Sequence, residues 1–225
     1  MERLICLVIG YAFGLIETGF IYGKIKHTDI RQHGSGNAGT TNVLRTFGAK
    51  GGAVTFIGDF LKAVLAVVLV GFIFREQPIE LVKMYQMYAA LGAVLGHDFP
   101  FYMGFKGGKG IASSAGGLMV VDPLGTCVTL VGFVLIVALS KYVSLGSICA
   151  AVIMTIAHIL SGQLLGTYGA PGQPMVENYA IMIFMAALAI YRHRANIGRL
   201  IKGQENKLSF GKKKHEETGG EEQDQ

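Results

Sequence analysis

Residues 53–74 read AVTFIGDFLKAVLAVVLVGFIF, bounded by Gly51 and Gly52 on one side and Arg75 on the other. A helix rises about 1.5 Å per residue and the hydrocarbon core of a bilayer is about 30 Å thick, so roughly 20 apolar residues cross it. This stretch is long and apolar enough for a transmembrane helix, and that reading sets the fold class. Its two charges, Asp59 and Lys62, stand at i,i+3. An unpaired charge at mid-bilayer costs about 2.5–3.5 kcal/mol on insertion scales, so the two are expected to pair and to fix helix packing, the alternative being that they hold the active-site floor.

Similar runs recur on both sides. They predict helices at 4–22, 53–74, 84–103, 111–121, 124–139, 145–165 and 179–191, an all-α polytopic integral membrane bundle of seven transmembrane helices. The fourth and seventh are short for a crossing and are expected to be re-entrant or to borrow residues from their Gly-rich flanks. The composition agrees: 225 residues, 51% hydrophobic and only 16% charged, with a mean hydropathy of +0.45. The first run begins almost at Met1, with little basic n-region and no small-residue cleavage site, so it is expected to be retained. Glu17, near its end, is expected to snorkel or to contact a neighbouring helix. Cys6, Cys127 and Cys149 lie in apolar runs without CxxC spacing, which argues against a zinc site or a disulfide framework.

The distribution of Lys and Arg predicts orientation. Lys24, Lys26, Arg31, Arg45 and Lys50 fall in the first loop, Lys106 and Lys109 in the third, Lys141 in the fifth, and Arg192, Arg194 and Arg199 after the last helix. The alternate loops hold only Arg75 and Lys83, so the positive-inside rule places the N-terminus outside and the C-terminus in the cytoplasm. Topology alone accounts for the net charge of +5, and no nucleic acid partner is expected. Residues 1–208 are expected to form the membrane domain, and 209–225, ending KKKHEETGGEEQDQ, a disordered charged cytoplasmic tail.

Three basic segments on the cytoplasmic side carry candidate chemistry. GSGNAGTTN at 34–42, followed by Arg45, combines glycines that let backbone N–H groups converge on an anion with hydroxyl donors and a guanidinium, a phosphate cradle. It satisfies GxGxxG, but no strand precedes it, so a dinucleotide fingerprint is rejected. The plain alternative is a loop of small polar residues. FKGGKG at 105–110, after GHDFP at 96–100, sets two lysines around two glycines, able to reach one phosphate together. It is not a Walker A loop, since Met103 and Gly110 stand where Gly and Ser or Thr belong. A positive-inside anchor needs the charge but not the intervening glycines. RHRANIGRLIKGQE at 192–205 places His193 and Asn196 at i,i+3, on one helical face, able to bind hydroxyl and phosphate groups, with a plain basic juxtamembrane anchor as the alternative. No histidine has an Asp five residues on, and there is no HExxH, so neither the HxxxxD pair of CoA-dependent acyltransferases nor a metal site is expected. His158, inside a span, reads as a hydrogen-bonded packing residue.

Taken in order, IRQHGSGNAGTTNVLRTFG, GHDFPFYMGFKGGKGIAS, KYVSLGSI and HRANIGRLIKGQENKL resemble the motifs and end signature of the bacterial acyl-phosphate:glycerol-3-phosphate acyltransferase (PlsY) family. The resemblance covers almost the whole chain to Leu208. It departs at GLIETGF, where the family often has a Ser-Pro pair, and at Ala63 after Lys62, where Gly is usual. It implies that acyl phosphate and glycerol 3-phosphate are the substrates, membrane lipid is the surrounding partner, and no cofactor is used. By the same resemblance Ser35, Arg45, Lys106, Lys109, His193 and Asn196 are expected to be catalytic. Gly34, Gly36, Asn37, Gly39, Thr41, Asn42, His97, Gly107, Gly108 and Glu205 are expected to bind substrate. Direct attack of the glycerol hydroxyl on the acyl carbonyl is expected, with His193 or a substrate phosphate oxygen taking the proton. Ser35 as a covalent nucleophile is disfavoured for want of a neighbouring base. The rival readings are a transporter of phosphorylated lipid, an acyl-CoA-dependent enzyme, and a scaffold without ligand.

Overall fold

The computed structural model describes residues 1–208; the predicted tail at 209–225 lies outside them. The described residues are helical, with no strand among them. The order is α1 (Glu2–Gly14), α2 (Thr18–Ile25), α3 (Thr40–Ile73), α4 (Ile79–Asp98), α5 (Ile111–Val121), α6 (Pro123–Ser140), α7 (Val143–Leu165), α8 (Gln173–Arg192) and α9 (Arg194–Ile201), with short 3-10 turns at Ile30–Gln32 and Phe101–Met103. Five segments are long and apolar enough to cross a membrane: Glu2–Ile25, α3, α6, α7 and α8. Large apolar side chains such as Leu124, Val131, Leu135 and Leu139 of α6 stand exposed. That outward apolar surface is what a lipid-facing helix presents.

The most enclosed helix is α4, although its Glu80, Lys83, Gln86, His97 and Asp98 keep it out of that group. Its partner is α1, through GxxxG on both sides. A Cβ on Gly10 or Gly14 would strike the carbonyl of Ala89 or Ala93, and one on Gly92 or Gly96 would strike the carbonyl of Leu7 or Tyr11. Small residues thus let the two backbones meet directly. An apolar core of Cys6, Val67, Met84, Met87, Leu118 and Met182 surrounds the contact.

Four boundaries differ from expectation, each for a local reason. The first span breaks at Leu15–Glu17, because Lys62 Nζ takes the carbonyls of Gly14 (3.1 Å) and Ile16 (2.7 Å) and so satisfies backbone the helix abandons. Helix α3 starts thirteen residues before the predicted 53, bending at Gly48 (φ 81°, ψ −174°), a conformation open to glycine. Helix α4 runs earlier than predicted and stops at Asp98, since Pro100 lacks the N–H to continue it. Helix α8 has 20 residues rather than a short core, because Glu177, which depressed its hydropathy, is paired with Arg3 at 2.7 Å. The predicted fourth helix remains at 11 residues as α5, and Asp122 ends it while capping α6 by accepting from the Gly125 N–H at 3.0 Å.

Candidate active site

All three basic segments converge at one end of the bundle. In the first, Gly34 (φ 57°) and Gly36 (φ 71°) are left-handed, which the tight turn requires. Asn42, 2% exposed, accepts from the Ser35 N–H (2.9 Å) and donates to the carbonyls of Ile30 (3.2 Å) and His33 (2.9 Å). Its amide therefore shapes the loop from beneath. Asn37 accepts from the Gly39 N–H (2.9 Å) and donates to the Gly107 carbonyl (3.1 Å), tying the first loop to the second. Gly39 and Thr41 lie at the start of α3, and one turn on Arg45 Nη2 reaches the Asn206 carbonyl at 3.2 Å.

The second loop folds back on the end of α4. The Gly107 N–H donates to the Asp98 carbonyl (3.2 Å) and the Gly108 N–H to the His97 carbonyl (3.0 Å), so neither is left free for a ligand. A Cβ on Gly107 would strike that His97 carbonyl, and one on Gly108 the His97 ring. These glycines answer to packing on His97, while Lys106 and Lys109 supply the side chains. Arg192 clamps the loop: its guanidinium donates to the carbonyls of Gly108 (2.5 and 3.2 Å) and Gly107 (3.2 Å), stacks 5.0 Å from the Phe99 ring and lies 3.7 Å from Asp98.

The third segment closes the site. Lys109 Nζ donates to Asn196 Oδ1, Asn196 Nδ2 to Glu205 Oε1 (3.0 Å), and Arg199 Nε to Glu205 Oε2 (2.7 Å). Burial, with repulsion from Arg199, pushes Lys109 down to about 8. Burial, with Lys109 nearby, pushes His193 down to about 4, so its ring is neutral at pH 7. His193 Nδ1 lies 2.8 Å from the Ala189 carbonyl. A carbonyl only accepts, so that nitrogen carries the hydrogen and Nε2 keeps its lone pair.

His97 also lines the cleft, its ring packed against Gly108, and it joins a buried charge cluster beneath. Its Nδ1 is 2.9 Å from both Glu17 Oε1 and Lys62 Nζ, and Lys62 is 3.1 Å from Asp59 and 3.6 Å from Glu17. All four side chains are at most 3% exposed. The expected Asp59–Lys62 pair is thus half of a buried quartet, and Glu17 belongs to it rather than snorkelling. His158, the expected packing residue, is fully buried with Nδ1 2.8 Å from the Met154 carbonyl.

Two hollows meet over these groups. A polar pocket of about 240 Å³ is lined by Ser35, Gly36, Asn37, Lys106, Lys109, Arg192, Asn196 and Arg199. A cleft of about 390 Å³ starts at Ser35, Thr41, Arg45, His193 and Glu205 and continues between α5, α6 and α7 along Ala112, Leu130, Phe133, Val137 and Ala150. Ser35, Asn37, Lys109 and Asn196 line both. Sequence reasoning places Arg192 and Arg199 in the third basic segment without giving them a role, and both line the pocket; Ser144 and Ser147 of KYVSLGSI, which it left out of the site, line the cleft.

The family model described as glycerol-3-phosphate acyltransferase matches residues 4–203. The chain is 41% identical over 216 residues to the glycerol-3-phosphate acyltransferase of Clostridioides difficile (strain 630), covering 94% of this chain and 97% of that one. It is 40% identical over 209 residues to that of Alkaliphilus metalliredigens (strain QYMF), covering 92% and 97%. Among solved structures it is similar to PlsY, an integral membrane glycerol 3-phosphate acyltransferase. The glycerol 3-phosphate form superposes with a TM-score of 0.79 at 33% identity, over 93% of this chain and 96% of that one. The lysophosphatidic acid form gives 0.77 at 33% identity, over 93% and 97%. The chain therefore belongs to the glycerol-3-phosphate acyltransferase family, as an integral membrane enzyme of the PlsY kind.

Proposed function

We propose that the enzyme transfers a fatty acyl group from acyl phosphate to glycerol 3-phosphate, forming lysophosphatidic acid and inorganic phosphate. The observation that carries this is the junction of a cationic pocket with an apolar cleft at Ser35, Asn37, Lys109 and Asn196. A substrate pair with phosphate heads and one long tail matches that shape, and the PlsY structures with glycerol 3-phosphate and lysophosphatidic acid support it. Arg45, Lys106, Lys109, Arg192 and Arg199 outnumber the two carboxylates, Asp59 and Glu205, around the two hollows, enough charge to bring two phosphorylated molecules together.

In this reading the glycerol hydroxyl attacks the acyl carbonyl, the new C–O bond forms, and the bond to phosphate breaks with phosphate as leaving group. The proton has two candidate acceptors. His193, pushed down to about 4, is ready to accept a hydrogen bond but is a weak base. A phosphate monoester titrates near 6, so a substrate phosphate oxygen is the stronger acceptor and His193 orients the hydroxyl. Counting α1 and α2 as one crossing, the chain crosses seven times with its N-terminus outside, and the site faces the cytoplasm. The concentration of Lys and Arg at the site's end of the bundle supports that orientation.

The test is turnover by purified protein given glycerol 3-phosphate with palmitoyl phosphate or palmitoyl-CoA. Phosphate release and lysophosphatidic acid with acyl phosphate alone is the expected result, and Lys109→Ala should lower kcat/KM by roughly 10²–10³-fold. Equal turnover with palmitoyl-CoA would refute the donor assignment.

A further inference from the structure

The deep end of the cleft has a chemistry unlike its walls. On α6 the lining residues Thr126, Thr129, Leu130, Phe133, Val134 and Val137 form one helical stripe, and on α7 Val143, Ser144, Ser147, Ala150, Ala151 and Met154 form another. The two helices are antiparallel, so Val137 and Val143 stand at the mouth and Thr126 and Met154 at the bottom. Near the mouth the cleft opens sideways, where Val134 is 60% exposed. At the bottom it is closed: Thr126 is 1% exposed, Ala151 2%, and Thr129 and Met154 6% each.

Behind this end the chain turns polar. Thr126 donates to the Asp122 carbonyl (2.9 Å) and Thr129 to the Gly125 carbonyl (2.8 Å). Asp122 Oδ2 is buried without a hydrogen-bond partner, 3.8 Å from His158 Nε2. An alkyl end pressed past Thr126 would meet this group, and burying a carboxylate against hydrocarbon is unfavourable. The α5–α6 turn at Asp122 seals the same end covalently.

We propose that Met154, Thr126 and Thr129 form the floor that sets the acyl chain length the enzyme prefers. The inference rests on the acyl-phosphate reading above. From Ser144 to Met154 the stripe on α7 covers about 15 Å. An extended backbone advances about 1.2 Å per bond, so roughly a dozen carbon–carbon bonds fill that depth. Shorter chains leave it partly empty and longer ones must fold back or leave through the side opening.

The experiment measures kcat/KM for dodecanoyl, tetradecanoyl, palmitoyl, stearoyl and eicosanoyl phosphate at saturating glycerol 3-phosphate, in the wild type, Met154→Ala and Ala151→Phe. A maximum in the wild-type series, with roughly ten-fold lower kcat/KM for the chain that overreaches it, is expected. Met154→Ala should move the maximum up by about two methylenes, and Ala151→Phe should move it down. The same relative profile in all three proteins would overturn the floor while leaving the donor assignment standing. Turnover with none of the acyl phosphates would overturn the donor assignment and the floor with it. Should Ala151→Phe fail to fold, Met154→Ala alone decides.

Discussion

Burial acts on Lys109 and His193 in the same chemical direction, and both consequences suit the proposed binding of phosphate dianions. Lys109, at about 8, is charged at pH 7 but holds its proton less firmly than an ordinary lysine at 10.5. A bound phosphate favours the charged form, so the KM for glycerol 3-phosphate is expected to stay flat between the substrate's own titration near 6 and about pH 8, and to rise above it. Lys109→Arg, whose guanidinium stays protonated, should flatten the rise in a pH series of initial rates. His193, at about 4, should add no inflection of its own near pH 6.5; the inflection expected near 6 belongs to the substrate phosphate and should persist in His193→Asn, which should lower kcat by no more than about ten-fold if it only orients the hydroxyl. The cationic residues of the site were legible in the sequence because glycines between lysines exceed what topology needs. The division of labour was not. Asn42 and the Gly107 and Gly108 N–H groups are occupied by the fold, whereas Arg192, to which the sequence assigns no role within the third basic segment, clamps the loop.

Helices meet in this bundle where side chains are missing. The GxxxG pairs of α1 and α4 leave no space for a Cβ, and the obstacle in each case is backbone, which cannot swing aside. Gly92→Leu is expected to destabilise the protein by at least the roughly 1–3 kcal/mol of an overpacked core. A lowered thermal midpoint in detergent, with helical circular dichroism retained below it, checks this. Existence and type of the elements were legible from apolar run length, since the bilayer sets that length. Their ends were not, because Pro100, Gly48 and the Arg3–Glu177 pair act through neighbours or through backbone geometry that a hydropathy window averages away.

The buried quartet of Glu17, Asp59, Lys62 and His97 joins the break after α1 to α3 and α4, directly beneath the loop that carries Lys109. Lys62 also holds the two carbonyls the break exposes, so Lys62→Met would strand two carboxylates and two acceptors together. Breaking a buried pair by removing one partner costs about 3–5 kcal/mol, and Asp59→Asn in the same chain should recover part of it. Unfolding midpoints of the single and double variants in one detergent measure that coupling. By itself the sequence determined an all-helical membrane protein with its cationic motifs at one end, because run length and loop charge are properties of contiguous residues facing a bilayer. It also determined the family, since four motifs recur in order. Only the tertiary structure decided that Glu17 and His97 complete the charge of Asp59 and Lys62, that Arg192 holds the glycine loop, and that the cationic pocket opens into a cleft ending at Thr126. Each of these joins residues far apart in the chain, and a buried charge or a cavity wall is defined by what surrounds it in space.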